Sequence, residues 1–126
     1  MGDLLVLIVE DNENNAKLLR DVLTVRGFRT HDTTTAEDGL AYARRELPDL
    51  ILMDIQLPGM DGITALKHLR SDAATRAIPV IAVTASAMPM DRNRILSAGF
   101  DGYITKPISV KDFVREIEEI LEARRT

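Results

Sequence analysis

The sequence predicts an α/β fold, a parallel sheet with helices on both faces, and three observations carry that prediction. Two unbroken apolar runs, Leu4 to Val9 and Leu50 to Met53, lack polar alternation, which suits strands covered on both sides. Each runs straight into acid, at Glu10-Asp11 and at Asp54. Strand-like and helix-like segments then alternate five times, the pattern of parallel strands joined by right-handed crossovers. With 126 residues and no Cys, the chain is expected to form one domain over 1–126 without a disulfide or metal staple.

Leu4 to Val9 forms the first strand. Asn12 to Arg26 places Leu19, Val22, Leu23 and Arg26 at helical spacing, and Gly27 stops that helix. Phe28 to Asp32 is short, polar-mixed and Thr-containing, as suits a strand nearer the sheet edge. Thr35-Ala36-Glu37-Asp38 resembles a capping box, after which Leu40, Ala43 and Leu47 mark one helix face before Pro48. Leu50 to Asp54 is the central strand, and Leu57-Pro58-Gly59-Met60-Asp61-Gly62 imposes a turn behind it.

Ile63, Leu66 and Leu69 give the third helix its apolar stripe, which ends near Ser71 and Asp72. Pro79 opens a strand through Val83, a permitted place because the first residue of a strand can spare its N–H, and Thr84 closes it. Pro89 suits the first turn of a helix carrying Ile95 and Leu96, stopped by Gly99. Gly102 to Thr105 is a short strand leading into Lys106-Pro107. Ser109 with Asp112 caps a last helix whose face is Phe113, Ile117, Ile120 and Leu121.

A formal charge of −4 disfavours a nucleic-acid partner, whose phosphates would need a basic patch. Met1-Gly2-Asp3 has no basic leader, and no apolar run approaches the ~18 residues of a membrane span. The lack of Cys fits a reducing compartment, so the expectation is a cytoplasmic chain with no membrane insertion. Ala123-Arg124-Arg125-Thr126 follows the last helix directly, and output is expected through protein contacts rather than an effector domain.

In the flavodoxin-like strand order 2-1-3-4-5, ligands bind at the carboxyl edge where strands one and three meet. That order brings Glu10, Asp11 and Asp54 together, with Thr84 and Lys106 beside them at the ends of strands four and five. Taken alone, Asp11 or Asp54 reads as an ordinary helix cap. The coincidence of an acid pair, a lone acid, a hydroxyl and a lysine, each ending a different strand, points instead to a site. Three clustered carboxylates call for a compensating cation, and magnesium, which takes oxygen ligands and keeps several waters, answers that need. A lysine and a hydroxyl beside a metal-bound carboxylate suit a phosphoryl group, with Asp54 as its acceptor.

These residues resemble a two-component response-regulator receiver domain over essentially the full length. Glu10-Asp11 matches the family's acidic pair, and Met53-Asp54 with Pro58, Asp61 and Gly62 its phosphoacceptor loop. Thr84-Ala85 matches the switch hydroxyl and its small neighbour, and Lys106-Pro107 the lysine and its usually cis proline. The resemblance implies that Asp54 accepts a phosphoryl group from a sensor histidine kinase or a histidine phosphotransfer protein. It also implies that Asp11 and Asp54 ligate magnesium, with Glu10 ligating directly or through water and Gln56 offering its backbone carbonyl. Tyr103 matches the switch aromatic, which turns inward when Thr84 moves toward the phosphoryl group. Adaptor proteins would then be met by the fourth helix, fifth strand and fifth helix, with Met88 and Met90 as core packing or as contact residues. More narrowly, Asp54-Ile-Gln-Leu-Pro, Ala85-Ser-Ala-Met88 and Lys106-Pro-Ile-Ser109 resemble single-domain cell-division regulators of the DivK type, a likeness shared with receivers of hybrid kinases.

A haloacid-dehalogenase-type phosphatase would need an acid two residues after its nucleophile, where Gln56 stands, so turnover of an external substrate is not expected. No phosphate-binding G-x-x-x-x-G-K-[ST] loop or dinucleotide G-x-G-x-x-G is present. An electron carrier of the same fold would leave the acid cluster and Lys106 unexplained. A receiver that works unphosphorylated, as a binding module, usually lacks a key residue, and this chain has them all. His31 and His68 have no partner at metal-ligand spacing and read as structural.

Overall fold

The computed structural model describes residues 4–85 and 89–125. Ten elements alternate: β1 (Leu5–Val9), α1 (Glu13–Val25), β2 (Arg29–Thr33), α2 (Ala36–Glu46), β3 (Leu50–Asp54), α3 (Gly62–Ser71), β4 (Val80–Thr84), α4 (Pro89–Ser97), β5 (Gly102–Thr105) and α5 (Val110–Arg125). The strands pair in parallel in the order β2-β1-β3-β4-β5, as expected for the flavodoxin-like class. β1, β3 and β4 are buried along their whole length because helices cover both faces, whereas the edge strands β2 and β5 admit polar residues.

Strand alternation splits the core into two layers. Leu7, Val9, Ile51, Met53, Val80 and Ala82 pack beneath α2, α3 and α4. Val6, Ile8, Leu52, Ile81, Val83 and Ile104 face α1 and α5, where Leu19, Leu23 and Phe113 fill the gap. Local chemistry sets the helix ends. Asn12, Thr35 and Asp61 each accept the N–H three residues on, at 3.0, 3.1 and 2.8 Å, satisfying donors that the first turn leaves free. The Ser109 cap is longer, 3.4 Å to the Asp112 N–H, and the Asp112 carboxylate accepts from Arg115 at 3.0 Å.

Two expected packing residues point outward. Leu47 is not on the buried face of α2; it is the left-handed C-cap (φ 49°) and 53% exposed, since the residue before a proline is disfavoured in the right-handed helical region. Ala36, Gly39 and Ala43 bury that face in its place. On α4, Ile95 is buried and Leu96 is half-exposed. The expectations for Met88 and for the Met90 side chain fall outside the described residues. Among the described residues, no helix is long and apolar enough to cross a membrane.

Register decides where the acids emerge. Val9 stands opposite Met53, Asp54 opposite Val83, and Thr84 opposite Thr105, so β1, β3, β4 and β5 all end at one edge.

Candidate functional site

Asp54 closes β3 with its side chain only 3% exposed. Both oxygens are held: Oδ1 accepts the Gln56 N–H at 2.9 Å and Oδ2 accepts from Lys106 Nζ at 3.0 Å. Lys106 reaches that point because its own N–H donates to the Thr84 carbonyl at 2.8 Å, extending the β4–β5 ladder by one residue before the cis Lys106–Pro107 peptide. Thr84 is buried at the end of β4, Ala85 is exposed beyond it, and Tyr103 is half-buried on β5.

Glu10 extends β1 in the same way. Its N–H donates to the Thr33 carbonyl at 3.0 Å, and its Oε2 accepts the Asn12 N–H at 3.1 Å. The ammonium of Lys106 lies beside both oxygens, donating to Oε2 at 3.3 Å and sitting 3.1 Å from Oε1 at an angle outside that of a hydrogen bond. Glu10 Oε1 is thus a buried carboxylate oxygen with no hydrogen bond. Asp11, exposed, completes a cluster in which one oxygen from each of Glu10, Asp11 and Asp54 lies within 4.8 Å of the others.

Three carboxylates face one ammonium, and the electrostatics register the imbalance. Burial pushes the Glu10 carboxyl up from 4.5 to about 7, and the neighbouring Asp54 carboxylate adds to the rise, while the Asn12 N–H and Lys106 pull it back. Burial works against the Lys106 ammonium, yet its hydrogen bonds to Asp54 and Glu10 and their charges outweigh it and hold the pKa above the ordinary 10.5. The donor set is all oxygen, one buried oxygen is orphaned, and negative charge exceeds positive. Such a set fits a hard divalent cation of the magnesium class better than a metal that wants nitrogen or sulfur.

The phosphoacceptor-like loop is pinned by Gly62. A β-carbon there would stand 2.4 Å from the Asp54 carbonyl oxygen and 2.9 Å from the Ile55 Cα, both backbone atoms that cannot rotate away. Gly62→Ala is therefore expected to cost about 1–3 kcal/mol as overpacking and to move the Asp54 backbone, read as a lower urea midpoint with shifted Asp54 and Ile55 amide signals.

All the residues expected at the carboxyl edge gather there. His31 stands apart, its ring stacked on Tyr42 at 3.9 Å, and neither it nor His68 belongs to the carboxylate cluster. Two residues the sequence did not single out also matter. Arg92 on α4 places its guanidinium 5.4 Å above the Tyr103 ring, and Glu116 on α5 accepts the Tyr103 N–H. No motif spacing flags either one, since the contact depends on which helix face lies over β5.

Residues 6–118 match the family model described as response regulator receiver domain. The chain is similar to the polar-differentiation response regulator DivK of Brucella ovis and of Brucella anthropi, in each case 50% identical over 116 residues, 92% of this chain and 94% of the relative. Among solved structures it resembles the receiver domain of a sensor histidine kinase from Pseudomonas aeruginosa PAO1, with a magnesium ion coordinated in the active site cleft. That likeness has TM-score 0.85 and 32% identity, covering 93% of this chain and 96% of that one. It also resembles a CheY-like receiver domain protein from Methanospirillum hungatei JF-1, with TM-score 0.87 and 30% identity, covering 97% and 96%.

Proposed function

The chain belongs to the response-regulator receiver family, and from that premise we propose that it is a phosphorelay switch with Asp54 as phosphoacceptor, 1–126 forming one receiver domain. The observation that carries the reading is the geometry at Asp54: a buried carboxylate held 3.0 Å from Lys106, with Glu10 and Asp11 oxygens within 4.8 Å. The donor is a phosphohistidine on a sensor kinase or a histidine phosphotransfer protein. Partner adaptors meet the surface of α4, β5 and α5, and the protein works in the cytoplasm.

In the transfer, an Asp54 carboxylate oxygen forms a bond to phosphorus as the P–N bond breaks. The bonding pair returns to the imidazole nitrogen, and the ring leaves neutral because its other nitrogen carries a proton. Lys106 donates to a phosphoryl oxygen in place of Asp54 Oδ2, and the Thr84 hydroxyl donates to another. Glu10, Asp11, Asp54 and the Gln56 carbonyl would hold magnesium, which supplies neutralisation of the gathered negative charge. Gln56 cannot act as a general acid and base, so the chain promotes only its own phosphorylation and slow dephosphorylation and turns over no external substrate. Incubation with acetyl phosphate, with and without magnesium, is expected to add one phosphoryl group to the intact mass only when magnesium is present. Equal uptake without the metal would contradict the reading.

Two further outcomes follow from the charge balance. Asp11→Asn should weaken magnesium binding by more than about tenfold, while the apo protein keeps or slightly gains stability because carboxylate repulsion falls. Unchanged affinity by calorimetry would return Asp11 to a capping role. Proton competition makes the affinity depend on pH. Because the folded Glu10 holds its proton to about 7 and the unfolded chain only to 4.5, the apo protein loses stability as pH rises through that window, and the loss is complete above it. A cation that needs the carboxylate ionised should accordingly bind more tightly as pH rises, by up to about tenfold per unit, levelling off above neutrality. Glu10→Gln should flatten that rise; a slope that survives the substitution would place the competing proton elsewhere.

A further inference from the structure

β5 is an edge strand, so the Tyr103 N–H has no strand to pair with, and the chain meets this need from α5. The Glu116 carboxylate accepts that N–H and lies across Gly102, where a β-carbon would stand 2.1 Å from Glu116 Oε1. Gly102 is therefore what lets an α5 side chain wrap the sheet edge. On the opposite face of β5, the Tyr103 ring packs against the α4 side of the core, beneath the Arg92 guanidinium at 5.4 Å. The two contacts grip one residue from two helices. Burial, with Glu119 adding to it, pushes the Glu116 carboxyl above its ordinary range, and the positive charges of Arg115 and Arg92 pull it back, so Arg92 is felt at Glu116 as well as at the ring.

We propose that Arg92 is a latch that holds the Tyr103 ring in its half-exposed setting, above a backbone that Glu116 ties to α5, so that α4 helps set how much of the unphosphorylated protein occupies the switched state. The proposal rests on the reading of Tyr103 as the switch aromatic. A guanidinium over a ring stabilises only the rotamer that keeps the ring beneath it, and an inward turn of Tyr103 forfeits that contact. A contact made in one state and lost in the other biases the equilibrium by its full strength. Arg92 is exposed, and the interaction at such a site corresponds to about a two- to fivefold change in the ratio of the two states. Arg92 is a positioning residue in this scheme, since it touches neither the phosphoryl group nor the metal.

The test uses the full chain with beryllofluoride as a stand-in for the aspartyl phosphate. Ring and amide signals of Tyr103 are followed in apo and beryllofluoride-treated wild type, Arg92→Gln and Arg92→Lys. The latch requires the apo signals of Arg92→Gln to move along the line joining the two wild-type states, with the switched fraction raised about two- to fivefold. Arg92→Lys, which keeps a cation over the ring, should fall between. A purely structural role would push signals off that line, and that result overturns the latch. So would Arg92→Gln signals that coincide with wild type while wild type still responds to beryllofluoride. A wild type whose Tyr103 ignores beryllofluoride would overturn the parent reading, and the latch with it.

Discussion

Asp54→Asn is expected to take up no phosphoryl group from acetyl phosphate with magnesium present, while its stability stays within about 1 kcal/mol of wild type. The two halves of that expectation share one cause. Among the three clustered carboxylates, Asp54 is the one at the end of the central strand with one oxygen fixed by the Gln56 N–H and the other by Lys106, so its loss removes the proposed nucleophile. An amide is nearly isosteric and its single oxygen keeps one of the two bonds, while the loss of the other is offset by taking one charge out of a cluster in which three carboxylates face one ammonium. The Glu10 carboxyl should fall back from about 7, because the neighbouring Asp54 carboxylate adds to the rise that burial causes. Intact mass reads the first effect and carboxyl signals across a pH series read the second. Undiminished labelling of the variant would move the phosphoacceptor elsewhere.

Lys106→Ala should have the largest effect on the fold. Removing one partner of a buried ion pair costs ~3–5 kcal/mol, and the partial exposure of the lysine, 21%, reduces this to about 2–3 kcal/mol. The loss leaves Glu10, Asp11 and Asp54 with no internal cation, so added magnesium should recover much of it. The same logic gives a second sign: the variant should bind magnesium more tightly than wild type, since the ammonium no longer competes for Glu10 and Asp54. Some phosphorylation should persist, but without a donor from β5 the response at Tyr103 should disappear. A variant that binds magnesium more weakly, or that relays phosphorylation to Tyr103 as wild type does, would contradict the role of Lys106.

How legible this site was in the sequence depended on whether a residue's position follows from strand ends. Glu10, Asp11, Asp54, Thr84 and Lys106 each terminate or directly follow a strand, and in a parallel sheet all such ends share one edge, so alternation and order suffice to bring them together. Leu47 misled because helical spacing says nothing of where the helix stops, and Pro48 ends it one residue early. The Glu10–Lys106 pair was also out of reach: the sequence puts both residues at the edge, but only the packed structure shows an ammonium shared between two acids. Arg92 and Glu116 were less visible still. They lie on amphipathic surfaces where most charges are solvated, and their contacts with Tyr103 depend on how α4 and α5 sit against an edge strand.

The most direct test is to find where the phosphoryl group goes. Borohydride reduces an aspartyl phosphate to homoserine, so treating the phosphorylated protein and mapping its peptides marks the acceptor itself. Homoserine at position 54, dependent on magnesium and at no other aspartate, is the expected result. Homoserine at Asp11 or Asp61, or a phosphorylated protein with no reducible aspartate, would contradict it.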